Sequence, residues 1–190
     1  MNIKEAIYSR RTIRKFKQTP LSEKQLTNYI NAARLAPSAA NLQPLRYVVV
    51  KSPQMVKKLF ELVKWAGYLA PEYNPKEGER PMAYIVVCSD TNIHTGCLQQ
   101  DLGAATENLI LAALDDGVGA CWIGSVNYEK ATELLSLPEN IKLECVIALG
   151  YPDENPKEVM VEENIKYYLD ETGTLCVPKR STNEVLIKTL

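Results

Sequence analysis

The residues of this chain that are best suited to bind an anion are three arginines close together near its start. Arg10, Arg11 and Arg14 surround Thr12 in the stretch SRRTIRKF, residues 9 to 16. Like charges this close repel each other, whereas planar guanidinium groups bind a phosphate through charge-assisted and often bidentate hydrogen bonds. The threonine hydroxyl adds a neutral donor. The pattern therefore favours a phosphate site, and a solvated basic turn is the plainer alternative.

Two further segments offer groups to a flat, polar ring. The loop PSAANLQP, residues 37 to 44, carries Ser38, Asn41 and Gln43 among small neighbours, and such side chains can meet the edge of a heteroaromatic ring. In GACWIGS, residues 119 to 125, Gly124 leaves the backbone open to close approach, and a backbone N–H there can donate to a ring nitrogen. A helix-ending loop and a buried strand end are the corresponding alternatives.

A second basic pair lies near the carboxyl end. Lys179 and Arg180 follow Pro178, and they could meet the first cluster on one phosphate. Two exposed charges near a terminus are also commonly just solvated.

The chain lacks the side chains of a hydrolase or a zinc enzyme. His94 is its one histidine, it has no G-x-S-x-G motif, and its five cysteines show no C-x-x-C spacing. We therefore expect no metal site and reduced cysteines in the core. Nucleotide loops of the G-x-G-x-x-G or G-x-x-x-x-G-K kind do not follow any predicted strand either. If the protein is an enzyme, a bound cofactor carries its chemistry.

Composition limits the possible partners. The 190 residues suit one domain, and 22 Lys and Arg against 23 Asp and Glu give a net charge of -1, which argues against a general binder of nucleic acid or membrane surfaces. No run approaches the roughly 18 to 20 apolar residues of a membrane helix, and the first residues are too polar and basic for a signal peptide. We expect a cytoplasmic protein.

Apolar spacing and capping signals predict a mixed, layered domain of helices and strands. Helices are predicted over residues 2–9, 22–36, 52–67, 98–117 and 128–137, with a short terminal helix from Ser181 or Thr182. Strands are predicted over 46–50, 83–88, 119–126 and 143–152, and a strand or arm with a turn at Gly173 over 165–181. Residues 71–81, rich in Pro, Gly and charge, form the long loop candidate.

Four of these segments, in this order, resemble motifs of the nitroreductase family of FMN-dependent oxidoreductases. They are S-R-R-T-I-R-K-F, A-P-S-A-A-N-L-Q-P, G-V-G-A-C-W-I-G and P-K-R-S-T-N-E-V, and they span residues 9 to 185. The resemblance implies an α+β fold with a central, mainly antiparallel sheet flanked by helices, in an intertwined homodimer. It makes residues 1–190 a single FMN-binding domain, with 161–190 as an arm that reaches the partner subunit.

The resemblance also assigns roles to residues. It implies that the FMN phosphate and ribityl chain are held by Arg10, Thr12, Arg14 and Arg180, with Arg11 and Lys179 as supporting charges. One face of the isoalloxazine would be lined by Trp122, Ile123, Gly124 and Ser125, with the Gly124 N–H near the reactive N5. From the other subunit would come Pro37, Ser38, Ala39 and Asn41.

The activity implied by the resemblance is ping-pong electron transfer from NAD(P)H, through flavin N5, to a small acceptor such as a nitroaromatic or a quinone. Two positions depart from the usual family pattern: Leu45 stands where an aromatic residue often follows Q-P, and Ser125 stands where a second glycine is common. Both change the flavin surroundings. The 71–81 loop is short, which favours an open active site.

Three other functions stay open from the sequence. One is a specialised flavin reaction on the same scaffold, such as dehalogenation or flavin destruction. The second is a non-catalytic FMN-binding or storage protein. The third is a phospholigand or RNA-binding module built on the arginines, against which the near-neutral net charge counts.

Overall fold

The computed structural model describes residues 1–161 and 163–190 and contains six α-helices and eight strands in this part of the chain. The helices are α1 (Ile3–Ser9), α2 (Glu23–Arg34), α3 (Pro53–Phe60), α4 (Leu98–Asp115), α5 (Tyr128–Leu134) and α6 (Thr182–Val185). The strands are β1 (Phe16–Lys17), β2 (Leu45–Val50), β3 (Ala83–Asp90), β4 (Gly119–Ile123), β5 (Ile141–Pro152), β6 (Lys157–Met160), β7 (Tyr168–Leu169) and β8 (Leu175–Lys179). Position 162, inside the predicted arm, lies outside the described residues.

A five-stranded antiparallel sheet forms the centre of the domain. β5 is its longest strand and pairs with β1 and β4 on one side and with β3 on the other, while β2 extends the sheet beyond β3. This arrangement confirms the prediction of an α+β fold with a mainly antiparallel central sheet. In the described part of the chain, no helix combines the length and the apolar character needed to cross a membrane.

The central sheet is buried on both faces. Along β3, Tyr84 and Val86 pack into one core cluster and Ile85 and Val87 into the other. Helices α2 and α4 cover the second face, whereas α3, α5 and the segment from 61 to 82 cover the first. Burial on both faces explains why β3 reads as an uninterrupted apolar run instead of an alternating one.

Local capping signals place most helix starts where the sequence predicts them. Ser22 and Gln25 form a capping box at α2, and Ser52 caps α3 with Pro53 at its first position. Asn127 caps α5, and Ser181 caps α6. Because each cap uses only neighbours in the chain, the sequence is enough to locate it.

The predicted helix over 52–67 is wrong in its second half. α3 ends at Phe60, and the chain then turns to pair with the segment that follows β4. Val63 forms an antiparallel bridge with Val126, and the N–H of Lys64 donates to the Ser125 carbonyl at 2.9 Å. These long-range hydrogen bonds override the helical spacing of the apolar residues.

The carboxyl-terminal region forms a second, small sheet. β8 pairs in parallel with β6 and in antiparallel with β7, and the β7–β8 connection turns at Gly173, whose φ of 78° is in the left-handed region. The turn and the helix after Ser181 confirm the prediction for 165–181. Beyond α6 the side chains of Leu186, Ile187 and Leu190 are exposed.

The five cysteines are free thiols. Cys88, Cys121, Cys145 and Cys176 are buried, and Cys97 is half-buried before α4. Burial raises the pKa of Cys88 and of Cys121 to about 11 and that of Cys145 to about 12, because a thiolate is poorly solvated in an apolar core.

Candidate functional site

Residues 10–15, which we call the arginine turn, connect α1 to β1 and run beside β4. Thr12 forms a parallel bridge with Ala120, and the Ile13 N–H donates to the Ala120 carbonyl at 2.9 Å. The Ile13 side chain lies against Gly119, where an added Cβ would come within 2.7 Å of Ile13 Cγ1. The glycine thus lets the turn approach the strand.

The three arginines of the turn have different partners. Arg10 Nε lies 3.2 Å from a carboxylate oxygen of Glu107 on α4, and Arg11 forms an ion pair with Glu158 on β6. Arg14 is half-buried, and its guanidinium carbon lies 4.8 Å from the centroid of the Tyr167 ring. Within residues 1–161 and 163–190, the Arg14 guanidinium has no carboxylate partner, so no acid among these residues competes with an external anion for it.

The end of β4 presents an open backbone beside this turn. Trp122 is 40% exposed and Ile123 is buried, while an added Cβ on Gly124 would meet nothing within 4 Å. Roughly 13 Å of extended chain separates Ala120, beside the turn, from Gly124. An elongated ligand can therefore contact both places.

Hydrogen bonds fix the peptide units after β4. The Tyr128 hydroxyl donates to the Gly124 carbonyl at 2.8 Å, and the Lys64 N–H donates to the Ser125 carbonyl. Sequence reasoning did not identify Tyr128, although its place at the start of α5, four residues after Gly124, is a local signal.

The loop of residues 37–44 is held by a buried carboxylate on α4. Asp101 is 5% exposed, and it accepts hydrogen bonds from the Ser38 hydroxyl at 2.6 Å and from the Ala39 N–H at 3.0 Å. Three non-glycine residues of the loop have positive φ: Ala40, Asn41 and Gln43. Such backbone strain is characteristic of functional sites. Pro37 and Ser38 line a cavity of about 130 Å³ together with Tyr47 on β2.

This loop and the arginine turn are anchored at different places on α4. Asp101, which holds the loop, and Glu107, which pairs with Arg10, are six residues apart on α4. At 3.6 residues per turn they lie about 120° apart around the helix. The predicted site therefore divides into two groups on different sides of α4.

Lys179 and Arg180 stand at the exposed end of β8. β8 pairs with β6, and β6 carries Glu158, the partner of Arg11. The small sheet is thus joined to the arginine turn by an ion pair. Neither Lys179 nor Arg180 forms a salt bridge with another described residue.

One carboxylate at this site was missed by sequence reasoning. Glu154, just after β5, accepts hydrogen bonds from the backbone N–H groups of Arg14 and Lys15 and from the Tyr73 hydroxyl. Its three partners are 81 to 140 residues away in the chain. No local spacing could indicate them.

Comparison with known proteins identifies relatives over most of the chain. The family model "Nitroreductase family" matches residues 7–151. A protein of Archaeoglobus fulgidus named "Putative NADH dehydrogenase/NAD(P)H nitroreductase" is 37% identical over 78% of this chain and 84% of its own length. The "NADPH-flavin oxidoreductase" of Vibrio harveyi is 31% identical over 86% of this chain and 74% of its own length.

A solved structure supports the same relationship. It is described as a putative nitroreductase in complex with FMN from Desulfovibrio desulfuricans, and it superposes with a TM-score of 0.74 at 25% identity, covering 100% of this chain and 98% of its own. The family match, the relatives and the antiparallel core agree with the motifs at the arginine turn, the 37–44 loop and the end of β4. This chain belongs to the nitroreductase family.

Proposed function

We propose that this protein is an FMN-dependent oxidoreductase that passes electrons from NAD(P)H to a small acceptor such as a nitroaromatic or a quinone, in a ping-pong cycle. The observation that carries the proposal is the half-buried Arg14 guanidinium without a carboxylate partner among the described residues, on a turn that pairs with the strand leading to Gly124. When bound, FMN supplies the chemistry, since its N5 accepts hydride and passes electrons on.

The residues present fit such a cofactor. A phosphate needs guanidinium and hydroxyl donors, and the arginine turn supplies them from Arg10, Thr12 and Arg14. Arg11 and Lys179 add positive charge, and Arg180 is a further phosphate donor. A planar ring needs a backbone without a projecting side chain, and Gly124 has open space where a Cβ would stand.

The role of the chain in the reaction is orientation and electrostatics. Trp122, Ile123, Gly124 and Ser125 would line one face of the ring, and the Gly124 N–H would be a donor near its reactive edge. Two hydrogen bonds hold this backbone rigid. The Tyr128 hydroxyl donates to the Gly124 carbonyl, and the Lys64 N–H donates to the Ser125 carbonyl. Donors fixed before substrate arrives stabilise developing charge without reorganisation.

A homodimer would complete the site. Pro37, Ser38, Ala39 and Asn41 contribute from the partner, because within one chain their loop lies on a different side of α4 from the arginine turn. Large apolar side chains on α1 and from the end of α6 onwards support a second protein surface. They are Ile3, Ile7, Tyr8, Val185, Leu186, Ile187 and Leu190, which are exposed in the single chain. Residues 161–190 are the proposed arm.

Light scattering should give twice the mass of the chain, and a monomer that retains flavin would contradict the proposed dimer.

The first experiment is an absorbance spectrum of the freshly purified protein between about 300 and 550 nm, repeated under anaerobic NADPH and then NADH. Two flavin bands that one nucleotide bleaches, with reoxidation by an added quinone, support the enzyme and identify its donor. A flavin that neither nucleotide bleaches indicates a carrier. A colourless protein that also fails to bind added FMN contradicts the proposal.

The other functions have less support. A nucleic-acid module on the arginines is disfavoured, because Arg10 and Arg11 already pair with carboxylates. A specialised flavin reaction usually needs a lid, whereas the 71–81 loop is tied to the domain through Tyr73 and Glu79. A cytoplasmic location remains a prediction.

A further inference from the structure

We propose that Glu154 is the positioning residue of the phosphate site: it holds the backbone of the arginine turn so that the Arg14 guanidinium stays free for an incoming phosphate monoester. The inference rests on the proposed function, in which FMN brings that phosphate. Glu154 is not itself a cofactor ligand, since it acts through the turn.

Glu154 lies at the meeting point of three parts of the chain. It lies two residues after the end of β5, and one of its carboxylate oxygens accepts from the N–H groups of Arg14 and of Lys15, the second at 3.2 Å. The other oxygen accepts from the Tyr73 hydroxyl. The Asp153 N–H also donates to the Lys15 carbonyl at 2.9 Å. The turn is therefore fixed to the end of the longest strand.

The groups that donate hydrogen bonds to Glu154 determine whether its charge neutralises an arginine of the turn. Both oxygens of Glu154 are used by neutral donors, two backbone amides and a phenol. Arg10 and Arg11 instead bind carboxylates directly, and a phosphate must compete with those carboxylates for them. Since Glu154 forms no ion pair with the Arg14 guanidinium, the carboxylate orders the turn without occupying the group that the phosphate needs.

Arg14 is held from a second direction by an aromatic contact. Its guanidinium stacks over Tyr167, and the Tyr167 hydroxyl accepts a hydrogen bond from the Tyr68 N–H at 3.3 Å. The backbone of Arg14 is fixed by Glu154, and the side chain is fixed by a ring that uses no N–H donor. A preorganised guanidinium loses less conformational entropy when it binds an anion.

Tyr73 extends this network to the 61–82 segment. Tyr73 is 6% exposed, and burial together with its hydrogen bond to Glu154 raises the pKa of its phenol, so it remains a donor at neutral pH. The Lys15 ammonium lies 4.8 Å from the centroid of the Tyr73 ring and 3.4 Å from Glu79. The segment therefore supports the phosphate site and is not a free lid.

The test compares FMN with riboflavin, which has the same ring but no phosphate. Full-length protein stripped of flavin is titrated with each, and quenching of flavin fluorescence gives the two dissociation constants. Glu154→Gln keeps the size of the side chain but replaces one accepting oxygen with an amide nitrogen. We expect the FMN dissociation constant to rise about 10-fold to 100-fold and the riboflavin constant to change less than about 2-fold.

Tyr73→Phe gives a second, milder variant that removes only the phenol donor, and it should shift FMN affinity in the same direction. Its matched control is Tyr29→Phe, because the Tyr29 hydroxyl likewise donates to a carboxylate, but to that of Asp116, at 2.9 Å, and not to that of Glu154. The control should leave both constants unchanged. Equal weakening of FMN and riboflavin, or unchanged FMN affinity in both variants, would overturn the inference. A wild-type protein that binds neither flavin would overturn the proposed function instead.

Discussion

The arginines of the arginine turn are of two kinds. Arg10 pairs with Glu107, and Arg11 pairs with Glu158. Removal of either arginine leaves a carboxylate without its partner, so such a variant would change both the affinity for a ligand and the free energy of unfolding. Arg14 contacts an aromatic ring instead, and it has no carboxylate partner in residues 1–161 and 163–190. Arg14 is therefore the residue whose removal tests the proposed phosphate site most directly.

Arg14→Ala should weaken FMN binding with little change in folding. A charge-assisted hydrogen bond contributes about 1.5 to 3 kcal/mol, so we expect the FMN dissociation constant to rise about 10-fold to 100-fold and the riboflavin constant to stay the same. Fluorescence titration measures both. Lys51→Ala, which removes a cation paired with Glu23 on the surface, is the control. A variant that keeps full FMN occupancy would remove Arg14 from the site.

Gly124→Ala should weaken the binding of both flavins, unlike Arg14→Ala, which should weaken FMN alone. The new methyl group would meet no atom of the chain within 4 Å, so the free energy of unfolding should change by less than about 1 kcal/mol. A planar ring against this backbone would meet the methyl group, so FMN and riboflavin should weaken to the same extent. Gly96→Ala, at another open glycine, should leave both affinities unchanged. Retention of both flavins by Gly124→Ala would place the ring elsewhere.

Among the elements, α4 does the most to order the site. Its Asp101 holds the 37–44 loop and its Glu107 holds Arg10. The same helix packs its apolar face on the sheet through Leu102, Ala105 and Leu109. The positions of two separate groups of proposed ligand-binding residues thus depend on one helix.

Asp101→Ala should loosen the loop. It leaves the half-buried donors of Ser38 and Ala39 without their acceptor, and we expect the free energy of unfolding to fall by about 1 to 3 kcal/mol. Hydrogen exchange should become faster over 37–44 while β3 stays protected. Gln99→Ala, at an exposed position on the same helix, serves as the control. Unchanged exchange in the loop would show that other contacts hold it.

The sequence predicts a structural feature when the residues that determine the feature are close together in the chain. The capping boxes at Ser22 and Ser181 are read within four residues, and both helix starts are confirmed. The end of α3 depends on pairing between Val63 and Val126, and Glu154 acts on partners far along the chain. Contacts of that kind leave no periodic pattern in a single sequence.

For the molecule as a whole, charge is balanced locally as well as in total. The net charge is -1, and the cluster that looks strongly basic in the sequence is largely paired in the structure with acids from α4 and β6. A surface of this kind has little general attraction for polyanions. The proposed phosphate site at Arg14 is compatible with this balance, because Arg14 has no carboxylate partner among the described residues.

The burial of the thiols leads to a prediction for the intact protein. In the folded state one of the five cysteines, Cys97, should react quickly with a thiol reagent, because the other four are buried. In denaturant all five should react. Colorimetric thiol titration at pH 8 counts them, and Cys97→Ser should abolish the fast phase. Fast reaction of a second thiol would show that the core opens.

The burial of the cysteine thiols also affects how fast the enzyme is inactivated by peroxide formed during turnover. Reduced flavins pass electrons to oxygen and release peroxide, and peroxide attacks thiolates rather than thiols. Cys121, on the strand that leads to Gly124, and Cys145, on the strand paired with it, have pKa values near 11 and 12, respectively. They therefore stay protonated at neutral pH, and the two strands beside the proposed cofactor site should resist oxidative damage during turnover in air.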